Sequence, residues 1–313
     1  MKSKLLSILI IVIMSLTGCG NKKSTYSTDK PFKIGVSQFV KHGALDAAYE
    51  GFIDALKDAG YEDGKNIVID YQNSQGDMSI TNTIATKLVN DNNDLILAIA
   101  TPSSQAVANA TNTIPILVTA VTDPAEAGIV ETNEKPNGNV SGTSDLNPID
   151  KQIQLLVDLV PHAKKVAVLY CSSEVNSKIQ SDIAIEVAKT HGIDAFEATV
   201  SNSNDIEQVV QSLVGKVDAI YAPTDNIIAA GMPTVAMVAN ANNIPVICGE
   251  ESMVDEGGLA TYGINYYKLG RMTGEQAVKI IEGKAKTADM PIEYLPDKDF
   301  QLKINEDVAK QIG

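Results

Sequence analysis

Apolar and polar positions switch between two periods along almost the whole chain. Phe32-Lys-Ile-Gly-Val-Ser37 is a compact strand pattern. An amphipathic helix is predicted over 44–60, with Leu45, Ala48, Phe52, Ala55, Leu56 and Ala59 on one face and Gly60 as its stop. The alternation repeats as strand 66–71, helix 78–90, strand 95–98, helix 103–111 and strand 116–118. After Asp145 a second series runs helix 148–159, strand 165–170, helix 177–191, strand 194–198, helix 205–214, strand 219–221, helix 227–240 and strand 245–247. Strands separated by helices of this length make βαβ units and parallel sheets. Two such series predict an α/β protein of two Rossmann-like, doubly wound lobes.

The tail adds a strand over 257–262, a helix over 266–283, short strands from Pro291 and a last helix after Asn305. These pieces complete sheets begun earlier, so the chain is expected to cross between lobes near Thr143–Ser144, Tyr262–Gly263 and Asp289–Pro291. That divides it into a first lobe of 32–143 plus 262–288 and a second of 144–261 plus 289–313. Two lobes on a three-segment hinge describe a clamp that closes on a ligand.

The amino terminus changes the picture. Lys2 and Lys4 precede an apolar run, Leu5 to Leu16, too short for a permanent membrane span but fitting the apolar part of an export signal. Leu16-Thr17-Gly18-Cys19 resembles the lipobox of bacterial lipoproteins. The resemblance implies a signal peptide of 1–18, cleavage before Cys19, lipid on that residue, and attachment to the extracytoplasmic face of the cell membrane. Residues 19–31 then read as a polar, flexible tether. Losing Lys2 and Lys4 takes the formal charge from −14 to −16, and no Lys/Arg cluster offsets it, which argues against a nucleic-acid partner. Cys171 and Cys248 sit in apolar stretches and could form a disulfide, although such flanks suit buried thiols better.

In open parallel sheets ligands lie beyond the carboxyl ends of the strands, which directs attention to particular loops. After the first strand come Gln38, Phe39 and His42, an amide, a ring and an imidazole; Phe39 would serve equally as core packing. After the third come Ser103 and Ser104 at a helix start, where free amides and hydroxyls suit a carboxylate or phosphate but also plain capping. Thr122 and Asp123 follow the fourth strand in a Thr-Asp-Pro turn. The second half supplies Asn176 and Ser177, then Asp225 and Asn226, then Glu250. Donor-rich loops facing carboxylates suit a zwitterion, its carboxylate on amides and hydroxyls and its ammonium on Asp225 or Glu250.

Lipobox, Ile34-Gly-Val-Ser-Gln38, Thr101-Pro-Ser-Ser-Gln105, Val121-Thr-Asp-Pro124, Ser141-Gly-Thr-Ser144, Ser172-Ser-Glu-Val-Asn-Ser177 and Pro223-Thr-Asp-Asn226 together resemble ABC-transporter substrate-binding lipoproteins of the tryptophan/tyrosine-uptake type. The likeness extends over about Lys33 to Gly313. It implies a type I periplasmic-binding-protein fold, a monomer without cofactor or metal, an aromatic amino-acid ligand and a membrane permease as partner. It also implies Ser103 and Ser104 as carboxylate holders, Asn176 and Ser177 as donors from the opposite lobe, and Asp225 as ammonium partner. Gln38, Phe39 and His42 would neighbour the ligand's ring, with stacking left to Phe39, Tyr221 or Tyr262 in a chain that has no tryptophan. A nucleoside or other small solute, or a surface adhesin on the same fold, are the alternatives. No nucleophile motif marks the chain as an enzyme, and three histidines and unpaired cysteines disfavour metal capture.

Overall fold

The computed structural model describes residues 31–313. The signal peptide, Cys19 and nearly all of the tether therefore lie outside the described residues. The first series is β1 (Phe32–Gln38), α1 (Gly43–Asp58), β2 (Ile67–Asn73), α2 (Met78–Asn90), β3 (Leu95–Ile99), α3 (Thr101–Ala110), β4 (Ile116–Val121) and β5 (Val140–Ser144). The second opens with α4 (Ile149–Leu159), β6 (Lys165–Cys171), α5 (Val175–Thr190), β7 (Asp194–Val200) and α6 (Ile206–Leu213). It continues with β8 (Ala219–Ala222), α7 (Asn226–Ala230), α8 (Met232–Ala241), β9 (Val246–Cys248), α9 (Glu251–Asp255) and β10 (Ala260–Gly263). The chain ends with α10 (Tyr266–Ile281), β11 (Glu293–Tyr294), β12 (Gln301–Ile304) and α11 (Glu306–Ile312).

The strands form two sheets with matching order, β2-β1-β3-β4-β5-β11 and β7-β6-β8-β9-β10-β12. Pairing is parallel throughout, except that β12 runs antiparallel to β10. Each sheet is covered on both faces, which is why β3 is apolar at every position. Leu95, Leu97 and Ile99 pack with Phe52, Leu56 and Leu269 of α1 and α10, while Ile96 and Ala98 meet Ile84, Leu88 and Val107 of α2 and α3. In the second sheet Val166, Val168 and Tyr170 face α4 and α5, and Ala167, Leu169 and Cys171 face α6 to α8. Cys171 and Cys248 are accordingly buried free thiols. Among the described residues, no helix is long and apolar enough to cross a membrane.

Tertiary contacts redraw several boundaries. The expected helix 227–240 is two helices, because Gly231 lies between them and Pro233 cannot donate in the first turn of α8. The loop at Glu250 opens into the short α9. The third crossing lies later than Asp289–Pro291: Glu293 and Tyr294 pair with Thr143 and Ser144 of the first sheet. Ser141 Oγ holds the Met290 and Pro291 carbonyls there, and Ile292 is buried in the first lobe's core. The chain therefore leaves that sheet between Tyr294 and Gln301. Tyr262 and Gly263, expected in the first lobe, belong to the second sheet through β12. Ser144, expected in the second lobe, pairs in the first sheet.

Candidate functional site

In both sheets the strand order reverses beside the first strand of the series, and the loops that leave these switch points face one another across the lobe boundary. From the first lobe His42, Leu45, Ala120 and Thr122 line a shared cavity; from the second, Asn176, Thr224, Asp225, Asn226, Ala229 and Glu250 do so. Asp145 follows the first crossing, Tyr266 follows the second, and both complete the wall. A register shift between Val118 and Val121, with Ala120 at φ +55°, bends the end of β4 and brings Ala120 and Thr122 to the wall. The enclosed space is about 10 Å³, room for about one water. A larger hollow of about 210 Å³ shares Glu250 and Tyr266 with it and is otherwise lined by residues that include Gly43, Ala47, Ile264 and Tyr267.

Direct contacts join the lobes around this space. Gln180 Nε2 of α5 donates to Thr122 Oγ1 at 3.2 Å, and His42 Nε2 lies 3.4 Å from Asn226 Oδ1. A Cβ on Gly43 would fall 2.6 Å from Ser252 Cβ, and one on Gly76 would fall 2.9 Å from Ile227 Cδ1. The lobes are closed on each other.

The buried carboxylates here differ in how fully they are occupied. Asp225 caps α7: Oδ1 accepts from Ile228 N at 2.7 Å, and Oδ2 from Cys171 N and Ser177 Oγ, each at 2.7 Å. Glu250 caps α9, accepting from Ser252 N, Ser252 Oγ and Met253 N. Glu174 accepts from Ile227 N, Asn226 N, Asn226 Nδ2 and Asn176 Nδ2. Asp145 is different. Its Oδ2 accepts from Tyr266 Oη at 2.6 Å, and its Oδ1 is buried with no direct hydrogen-bond partner among the described residues, the Thr122 hydroxyl acting on the carboxyl group from beyond bonding distance.

Burial dominates the electrostatics, since it disfavours charge. It pushes Glu174 up to about 8, with the neighbouring Asp225 acting in the same direction. It raises Glu250 to about 7 against its helix-capping bonds, and Asp145 to about 6 against the Tyr266 and Thr122 hydroxyls. It lowers His42 to about 4, only partly offset by Asn226 and Asp46. Cys171 is raised by burial, so it is no nucleophile in waiting.

Of the residues picked out from sequence, the fold gathers His42, Thr122, Asn176, Asp225, Asn226 and Glu250 around the cavity. Gln38 is buried beneath α1, donating to Val40 O and Asp46 Oδ1, and Phe39 is core. Ser103 Oγ receives Ser37 Oγ, and Ser104 Oγ returns to Ala100 O, so neither lines the space. Asp123 organises its own turn through Ala125 N, Glu126 N and Asn133 Nδ2, while Ser177 sits behind Asp225. Tyr221 is core, with Oη on Gln152, and Tyr262 packs against Phe300; the aromatic on the cavity wall is Tyr266. Asp145, Glu174 and Tyr266 were missed. Glu174 lay inside a motif that pointed to the site, whereas Asp145 and Tyr266 follow hinge crossings, a position that could have singled them out.

A family model described as ABC transporter substrate binding protein matches residues 33–313, and the chain belongs to that family of binding proteins rather than to an enzyme family. A tyrosine-binding protein of Clostridioides difficile (strain R20291) is 48% identical over 320 residues, covering 99% of this chain and 92% of that protein. The crystal structure of an ABC domain in complex with L-Trp from Streptococcus pneumonia is 39% identical, with TM-score 0.87 over 90% of this chain and 95% of the other. A ligand-free, open structure of a substrate-binding protein with adhesive properties from Clostridium difficile is 50% identical over 90% of this chain and 94% of the other, with TM-score 0.67. More distant solute-binding and sugar-binding proteins of ABC transporters, at 13–17% identity, share the two-lobed fold.

Proposed function

We propose that this chain is the extracytoplasmic receptor of an ABC importer, anchored through lipid on Cys19 and working as a monomer. It takes an aromatic amino acid, tyrosine or tryptophan, between its lobes and delivers it to a membrane permease. One observation carries the reading: an enclosed space walled by both lobes and by two of the three hinge crossings, so that an occupant contacts every part that must move. The tyrosine-binding relative and the L-Trp complex support this ligand class. The TM-scores support such a motion. The more similar open relative superposes less well than the less similar L-Trp complex, as expected when lobes are alike and their mutual angle differs.

Ligand pockets usually measure about 300–1,000 Å³, so a whole aromatic amino acid enters only with the lobes apart or with wall side chains turned toward the adjoining hollow. A thermal-shift screen of the twenty amino acids and common nucleosides tests the proposal. L-tyrosine or L-tryptophan is expected to raise Tm by several degrees through mass action. A shift by a nucleoside alone replaces the ligand class, and an unmoved Tm across the panel removes the receptor reading. A second reading, surface adhesion, is favoured only by the adhesive properties of the open relative; binding of lipid-free protein to host-cell surfaces would test it.

A further inference from the structure

Three buried acceptor atoms around the cavity have no partner among the described residues: Asp145 Oδ1, Asn176 Oδ1 and His42 Nδ1. They come from three different bodies, namely a hinge crossing, the second lobe and the first lobe. Each orphan is forced by its surroundings. Asn176 spends its amino group on Glu174 Oε2, Ser177 Oγ and Thr224 O, which fixes the amide and leaves its oxygen bare. Asn226 likewise gives Nδ2 to Glu174, so its Oδ1 faces His42 Nε2. That contact requires the proton on Nε2. Burial keeps the ring neutral, so Nδ1 is left as an acceptor. Buried acceptors of this kind are costly when unmatched and are seldom left so.

Among the described residues no Lys or Arg lines the space, and Asp225 and Glu250 are committed to capping helices. What is missing is a small cationic group with three donors. A protonated primary amine carries three N–H groups and one charge, and its head is about the size of the water that the space accommodates.

We propose that Asp145 Oδ1, Asn176 Oδ1 and His42 Nδ1 receive the three N–H groups of the ligand's ammonium, with Asp145 rather than Asp225 as its counter-charge. The assignment deepens the amino-acid reading above and rests on it. Tyr266 positions Asp145 by donating to Oδ2, which leaves Oδ1 unengaged and ties the two hinge crossings together. Specificity follows: the site demands a free amine, and the acceptors of the two lobes come together only on closure.

Calorimetry on the lipid-free chain tests this with L-tyrosine, L-tryptophan, 3-(4-hydroxyphenyl)propionate (tyrosine without its amine) and N-methylated L-tyrosines. Wild type is expected to prefer L-tyrosine over the deaminated acid by about 100-fold or more, with stepwise loss on mono- and dimethylation. D145N keeps an acceptor for Tyr266 but loses the charge. It should narrow that preference at least tenfold, chiefly by weakening L-tyrosine, with an unchanged near-ultraviolet spectrum showing an intact fold. Y266F should narrow it by a smaller factor. If wild type binds neither L-tyrosine nor L-tryptophan, the amino-acid reading and this assignment fall together. If wild type binds L-tyrosine and folded D145N keeps the full preference, the assignment alone falls. Should D145N not fold, the N-methyl series on wild type decides, equal affinities overturning the proposal.

Discussion

Asp225 shows how one side chain can be read correctly for place and differently for role. Its position after β8, ahead of a helix, put it at the cleft, and it lines the cavity. Yet three donors saturate it inside its own lobe, and those bonds were invisible in sequence because Cys171 and Ser177 lie 54 and 48 positions away. Replacing Asp225 with Ala strands those donors and removes a helix cap, so a loss of about 2–4 kcal/mol of stability is expected. Urea denaturation reads it. A change in amino-acid affinity with stability intact would return Asp225 to the ligand.

The raised carboxylates set the pH dependence of the unliganded closed protein. Glu250 at about 7 and Glu174 at about 8 keep protons that the unfolded chain has already released. Where the folded state binds more protons, stability falls as pH rises, so Tm should drop between pH 6.5 and 8.5. His42, lowered to about 4, works in the opposite sense between about pH 4 and 6.5, but the raised Glu174, Glu250 and Asp145 outweigh it there, so the fall in stability begins below pH 6.5. Differential scanning calorimetry across that window checks the sign, and Glu174→Gln should flatten the slope. A Tm rising through the window would contradict the protonation described.

At the scale of elements, most of the βαβ series was legible because each strand and helix carries its own period. What escaped was set by partners. The first turn of α9 is capped by Glu250, and β11 is a strand only because β5 lies beside it. The packing of α10 on α1 is of the same kind. Returning to the first lobe, α10 meets α1 through Gly270 and Gly51, where a Cβ would lie 1.8 Å from Ala48 O and 2.0 Å from Tyr267 O. Backbone cannot yield as a flexible side chain does. Gly270→Ala should therefore lever the helices apart and cost about 1–3 kcal/mol or more, read by chemical denaturation. A variant of native stability would mean that the helix pair has slack the contact distances do not show.

For the whole molecule, function depends on how far the lobes approach. Gly43 opens α1 at an ordinary backbone angle, so a larger residue there obstructs Ser252 of the other lobe without straining its own. Gly43→Val should hold the lobes apart: a larger radius of gyration by small-angle scattering in the presence of ligand, and affinity lower by tenfold or more, about 1.4 kcal/mol. Unchanged scattering and affinity would show that closure does not pass through this contact.

The α/β class, the paired series and the loops where a ligand could sit were all readable along the chain, because hydrophobic period and turn chemistry are local properties. The sequence also marked Asn176 and His42 by their places after strand ends. Which polar groups are consumed by helix caps and which stay unpartnered beside the cavity emerged from the folded arrangement, because a hydrogen-bond partner far along the chain leaves no local trace. For the same reason the third crossing and the ordering of Asp145 by Tyr266 emerged only when distant segments were brought side by side.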